Sequence, residues 1–324
     1  MYDNPGKTFF SKHAKITGFR SDSLEKVYRL LAVLGRVQDI QGLSGSLALK
    51  GGTALQGGVF GFRRLSVDAD LNYVGSIEKE KMKQDREEIR RKMLMLLRDM
   101  EYRIDEPNKK YAEERFDAHY VNSNGGLDRI KVEINYLERL PVCGTCKIGV
   151  KPLFDDFDGL KILSYRPEEL FAGKMRALIV RSTPRDIFDA SLIAHHLHST
   201  DEILFRRTSL FYLAMHDDAR NLTTNAIRDV RDIDFRDHLI PMLSARETVE
   251  NEKMKGDALA LADSLLSLSS SETEFFDALY LRKTMDQRVL FEGSPVSQDL
   301  ADHPAVKWRL QQMTSNPRSG HARD

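Results

Sequence analysis

Asp68 and Asp70 stand at i and i+2 in Arg64-Leu65-Ser66-Val67-Asp68-Ala69-Asp70-Leu71. On an extended strand that spacing turns both carboxylates to one side. Shortly before them, the apolar run ending at Leu49 meets Lys50-Gly51-Gly52-Thr53-Ala54-Leu55. Glycines there permit close approach of backbone N–H groups to a phosphate. Two hard oxygen donors beside such a turn are the parts that hold Mg²⁺, with Mn²⁺ as the alternative, against a nucleoside triphosphate. A lone D-x-D is more often a solvated strand end. Here Gly51, Gly52, Thr53, Arg64 and Ser66 accompany it, so the reading is nucleotide binding and nucleotidyl transfer. Glu133 is the candidate third metal ligand. It alternates with Ile130, Val132 and Ile134 on a strand pattern, and a cross-strand ion pair is its equally weighted alternative.

A second constellation lies at Lys174, Arg181 and Arg185-Asp186-Ile187-Phe188-Asp189. Lys174 and Arg181 are seven apart and share a helix face, a cationic face suited to a triphosphate. Asp186 either orients Lys174 or serves as a base. It also sits where a capping box opened by Thr183 and Pro184 places an acid. Cys143-Gly144-Thr145-Cys146 is half a zinc site at most and reads as a turn. His195, His196 and His198 close a helix pattern, where they favour the negative dipole end. Tyr111, Phe116, Ala118 and Tyr120 read as core.

The elements that must position these groups follow from periodicity. Residues 1–21 read as a lead-in. A helix starts near Asp22, with Asp22 and Glu25 placed as a capping box. A strand over 46–50, a short helix over 53–60 and a strand over 68–74 frame the site. A charged amphipathic helix follows over 77–99, then strands at 101–105, 112–121 and 128–137, a loop over 138–158 and a last strand at 160–163. Beyond Arg166-Pro167 the pattern is helical at 167–181, 184–197, 201–215, 245–268 and 273–283. The expected organisation is α+β: a mixed sheet flanked by helices over 1–163, a helical domain over 164–313, and a disordered tail over 314–324.

The 324 residues are 41% hydrophobic and 30% charged, with 49 basic and 49 acidic side chains. No global field draws in a polyanion, so any nucleic-acid contact needs a local basic patch. No apolar run suits a membrane span, and no basic-then-apolar leader pattern opens the chain. With only two cysteines, a disulfide scaffold is excluded and the cytoplasm is the expected compartment.

In the order and spacing of Lys50-Gly51-Gly52-Thr53-Ala54-Leu55, of Arg64-Leu65-Ser66-x-Asp68-x-Asp70-Leu71, and of Arg166-Pro167-Glu168-Glu169-Leu170 through Lys174, Arg181 and Pro184-Arg185-Asp186-x-x-Asp189, the chain resembles the AbiEii/AbiGii nucleotidyltransferase toxins, which include the MenT toxins. The match spans roughly residues 45–195. It implies a polymerase-β-like nucleotidyltransferase domain followed by a helical domain, and a toxin of a toxin–antitoxin or abortive-infection system. It further implies transfer of a nucleotide from an NTP, in several members onto the 3′ end of tRNA, with a cognate antitoxin as partner. By position, the metal carboxylates fall on Asp68 and Asp70, the turn on Gly51 and Gly52, the downstream lysine on Lys174, and the final D-x-x-D on Asp186 and Asp189. Thr53 stands where many members have serine, and Ala69 where a bulkier aliphatic residue is usual. The rival readings are a transferase acting on an aminoglycoside-type small molecule or on a protein hydroxyl, and a non-catalytic relative that only binds.

Overall fold

The computed structural model describes residues 5–109, 112–294, 296 and 299–315. They group into two compact units, 1–139 with 145–166 and 233–249, and 140–144 with 167–232 and 250–324.

The first unit opens with α1 (Lys7–Thr17) and α2 (Ser21–Asp39). The lead-in read from the sequence is therefore a helix for most of its length. Its cause is aromatic packing: Phe10 is fully buried, and Phe9, Phe10, Tyr28, Phe154 and Phe157 meet edge-to-face and stacked. Burying rings of this size contributes about 2–3 kcal/mol each. The expected Asp22/Glu25 capping box does not form. α2 begins at Ser21 after Arg20, Asp22 pairs back with Arg20, and Glu25 is buried against Arg29 and the backbone N–H of Ser123.

Next come β1 (Leu47–Lys50), a short turn of helix α3 (Gly51–Thr53) that widens into a π-helical stretch over Ala54–Phe60, and β2 (Asp68–Tyr73). The long helix α4 (Lys79–Asp99) follows, with only Met82, Ile89, Met93, Leu96 and Leu97 turned inward. Then come β3 (Arg103–Ile104), β4 (Asn108–Lys109), β5 (Glu113–Val121), β6 (Leu127–Asn135), β7 (Thr145–Gly149) and β8 (Lys161–Tyr165). The sheet order is β3-β5-β6-β2-β1-β8-β7, with β4 on β5. β2 runs parallel to β6 and β1 parallel to β8, while the remaining pairs are antiparallel. This is the expected mixed sheet. β7 lies inside the segment read as loop: its exposed–intermediate alternation at a sheet edge carries no apolar signal. Tyr111 lies outside the described residues. Phe116, Ala118 and Tyr120 are core, as expected.

The chain returns to the first unit over 233–249. There Leu243 bridges Arg64, Leu65 N–H donates to Met242 O at 2.8 Å, and Ser244 Oγ donates to Thr17 O at 2.7 Å. Nothing in composition marks this excursion, which is held by backbone pairing.

The second unit is helical. α5 (Pro167–Arg181), α6 (Pro184–His196) and α7 (Glu202–Ala214) pack Phe171, Met175, Leu178, Ile187, Phe188, Leu210 and Phe211 into its core. α8 (Asn225–Arg228), α9 (Asp232–His238), α10 (Asn251–Leu266), α11 (Ser270–Tyr280), α12 (Gln287–Phe291) and α13 (Pro304–Ser315) complete the chain, with α9 spanning the passage between the units. α8, α9, α12 and α13 have no counterpart in the periodicity reading. Of the tail expected from residue 314, Thr314 and Ser315 end α13, and 316–324 lie outside the described residues. Glu169, in the first turn of α5 where charge favours it, also accepts from Val142 N–H, Cys143 N–H and the Tyr212 hydroxyl, at 2.9, 2.8 and 2.5 Å. No described helix is long and apolar enough to cross a membrane.

Candidate active site

β2 carries Asp68 and Asp70 as half-buried residues flanking buried Ala69. The register settles which neighbours share their face. Asp68 lies opposite Lys131 and Asp70 opposite Glu133 on parallel β6, while Lys50 of β1 lies opposite Asp70 on the other side. Ala69 and Leu71 pair instead with Val132 and Ile134, and these four fill the other, buried face. Two carboxylates thus project together from one strand, as the i, i+2 spacing requires, and a third stands one strand over. β5 adds Arg115 opposite Glu133 and Asp117 opposite Lys131. Bonding to Asp117 holds the Arg115 guanidinium above its usual range, and the charges of Glu133 and Asp68 add to this.

The glycine turn abuts this face. Gly51 has φ +69°, a left-handed conformation that favours glycine, and a Cβ there would run into the Asp70 carboxylate. A Cβ on Gly52 would come within 2.7 Å of Ser66 Oγ and 3.0 Å of Arg64 Nη2. Gly51, Gly52, Arg64, Ser66 and Asp70 are therefore brought together, as expected. Arg64 is buried. Its Nη1 donates to Leu65 O at 2.9 Å and its N–H to Gln56 Oε1 at 3.1 Å. Thr53 faces the carboxylate strand. Its hydroxyl has one proton to give, and it donates it to the backbone carbonyl of Asp68 at 2.5 Å. Thr53 thus ties the glycine turn to the carboxylate strand.

Glu133 has a cation beside it on its own strand. Lys131 Nζ lies 3.3 Å from Glu133 Oε1 and 3.7 Å from Asp68 Oδ1. Among the described residues, no group of three or more His, Cys, Asp or Glu side chains is placed to hold a metal ion. The ion pair Glu133 makes is with Lys131, two residues before it on its own strand, and not the cross-strand pair weighed from the sequence. Asp68 and Asp70 by themselves fit a magnesium site, because Mg²⁺ commonly takes one or two carboxylates and completes its shell with substrate phosphates and water. Lys131 is a residue of this face that the sequence reading left without a role. Its signal was its place two residues before Glu133 on the same strand face.

The second unit holds the other constellation. Lys174 Nζ lies 3.1 Å from Asp186 Oδ1 and 2.7 Å from Asp189 Oδ2, with all three side chains buried. Arg181 donates to both Asp186 oxygens at 2.7 and 2.9 Å, so Lys174 and Arg181 do converge from one helix face. The capping box at Thr183 forms: Asp186 Oδ2 accepts from Thr183 N–H at 3.3 Å and from its hydroxyl at 2.6 Å. Burial alone would raise the Asp186 pKa. The Lys174 charge and the Arg181 and Thr183 bonds outweigh it and hold the carboxyl well below the usual range. The carboxyl stands 3.1 Å from Lys174 Nζ, a placement that fixes the ammonium.

The cysteines and histidines have local partners. Cys143 Sγ contacts Thr208 Oγ1 at 3.3 Å, Cys146 lies on β7, and both are free thiols. His195 meets Asp257 Oδ2 at 3.1 Å and His196 bonds Leu192 O at 2.8 Å in the last turn of α6.

A mixed sheet bearing two aspartates on one strand against a glycine turn, with a helical unit after it, defines a nucleotidyltransferase of the polymerase-β-like kind. Residues 33–278 match the family described as "Nucleotidyl transferase AbiEii toxin, Type IV TA system". This is well over half of the chain, so the protein belongs to the AbiEii family of nucleotidyltransferase toxins of type IV toxin–antitoxin systems. Among solved structures, MenT4, a nucleotidyltransferase toxin from Mycobacterium tuberculosis H37Rv, is similar over 95% of this chain and 99% of its own, with a TM-score of 0.62 and 17% identity. That likeness is one of fold. No curated protein sequence matches the chain. Family membership implies an NTP substrate, a divalent metal and an antitoxin partner.

Proposed function

We propose that the protein transfers a nucleoside monophosphate from an NTP to an acceptor hydroxyl at the 3′ end of tRNA, in the cytoplasm, and so blocks translation. The reading rests chiefly on the registered pairing that sets Asp68 and Asp70 on one face with Gly51 packed against the Asp70 carboxylate. Asp68 and Asp70 would hold the divalent cation, Mg²⁺ or Mn²⁺, which supplies charge neutralisation at the α-phosphate when bound. Gly51 and Gly52 let the backbone approach the phosphates, and Arg64 and Ser66 sit beside them with donor groups. Thr53 keeps the turn and the carboxylate strand in register. Lys174 is assigned to phosphate by its match to the family motif. An ammonium has three N–H donors, and Asp186 and Asp189 fix its position with two of them. The acceptor oxygen forms a bond to the α-phosphorus and releases its proton to water, while the bond from the α-phosphorus to the bridging oxygen breaks and pyrophosphate leaves. Positioning and charge stabilisation supply most of the rate.

The test is purified protein with Mg²⁺, total tRNA and each labelled NTP in turn, beside growth on induced expression. Wild type is expected to label tRNA and arrest growth. Asp68→Ala is expected to lose about a thousandfold in transfer, ~4 kcal/mol of barrier. Label on an aminoglycoside or on a protein would move the acceptor to the rival classes, and label retained by Asp68→Ala would remove the assigned site.

A further inference from the structure

The carboxylate face is a square of four registered positions. Asp68 and Asp70 form one column on β2, Lys131 and Glu133 the other on β6, each residue opposite its partner. Three corners are acids and the fourth is an ammonium. Polymerase-like phosphoryl transfer that uses two metals places them about 3.5–4 Å apart between acids that clamp both. In this square the corner diagonal to Asp70 is already cationic. Lys131 Nζ lies 3.3 Å from Glu133 and 3.7 Å from Asp68, and it retains 28% of its side-chain exposure. With all four groups ionised the square carries a net charge of −2, which one divalent cation cancels, whereas without the lysine it carries −3.

We propose that Lys131 stands in for a second metal: its ammonium occupies Glu133 and the Asp68 flank, so that the site takes a single, nucleotide-borne divalent cation. Lys131 is then a positioning residue that sets metal stoichiometry, and Glu133 acts through it. Two neighbouring facts agree. The described residues hold no three-acid cluster fit for a metal. Arg115, opposite Glu133 on β5, bonds Asp117 at 2.8 Å and acts on Glu133 only through its charge, so the ion-pair contact of Glu133 is with Lys131. The proposal rests on the assignment of Asp68 and Asp70 to the metal.

The test counts Mn²⁺ bound per chain in the presence of a non-hydrolysable NTP analogue, by electron paramagnetic resonance of free Mn²⁺ or by calorimetry, without turnover. Wild type and Lys131→Arg are expected to bind one ion. Lys131→Met frees Glu133 from its partner and is expected to bind a second ion, about tenfold or more tighter than any second-site binding by wild type. The double variant Lys131→Met/Glu133→Gln is expected to return to one. Two ions on wild type, or one on Lys131→Met, overturns the proposal. Asp68→Ala separates the layers. If it binds as many ions as wild type, the underlying metal assignment is wrong. If it loses binding while wild type holds two, only the stand-in is wrong.

Discussion

The two charged clusters use the same residue types to opposite ends. On the sheet face, Asp68, Lys131 and Glu133 keep 38%, 28% and 26% of their side-chain exposure and sit in ion pairs of 3.3–3.7 Å. In the helical unit, Lys174 keeps 6% while Asp186 and Asp189 keep none, and their contacts with Lys174 are 2.7–3.1 Å. The first cluster is wet and loosely paired, so a nucleotide-borne cation can reach Asp68 and Asp70 from solvent at small cost. The second is dry and fully engaged, and taking away one member strands a buried charge. Substitutions on the sheet face should therefore read out in activity and metal binding. Substitutions in the helical cluster should read out first in folding.

The largest effect is expected for Asp186→Ala. It leaves Lys174 with Asp189 alone and Thr183 without its cap partner, at a cost of about 3–5 kcal/mol in urea unfolding. Asp68→Ala should change the same midpoint by no more than about 0.5 kcal/mol. Equal losses in the two variants would break the contrast.

Acid sharpens it. The folded-state Asp186 carboxyl titrates below its unfolded value of about 3.9. Its contribution is complete above that value and is lost as pH falls through the lower folded pKa. Unfolding measured from about pH 7 down to about pH 2 should show wild type losing stability below about pH 4 more steeply than Asp186→Asn.

A smaller effect is expected at Gly51→Ala. A left-handed φ costs an alanine about 1–2 kcal/mol, and its Cβ meets Asp70 Oδ2. The variant should lose more in transfer rate than Gly52→Ala, where the obstructing atoms are the ends of Ser66 and Arg64. Parity between the two would detach Asp70 from the turn.

Much of this was legible in the chain. The i, i+2 acids, the Gly-Gly turn and the alternation of Ile130, Val132 and Ile134 each encode a face through strand period alone. Pro167 and the Thr183-Pro184 cap mark helix starts by local chemistry, and the structure begins α5 and α6 at Pro167 and Pro184. What stayed hidden depends on partners distant in sequence. α1 is ordered by Tyr28 and Phe154, β7 by pairing to β8, and the Thr53 hydroxyl is engaged by a carbonyl fifteen residues away. Lys131 was visible as a strand residue. Its relation to Asp68 needed the β2–β6 register, which no single strand contains.

The backbone pairing of Arg64 and Leu65 with Leu243 and Met242 has a consequence for synthesis. The loop leading into the Asp68 strand finds its last hydrogen-bond partners only after residue 243 has left the ribosome, because domains settle in the order in which their segments emerge. The segment that carries the carboxylates therefore completes its backbone pairing late in synthesis, after residues 167–232 of the helical unit have emerged.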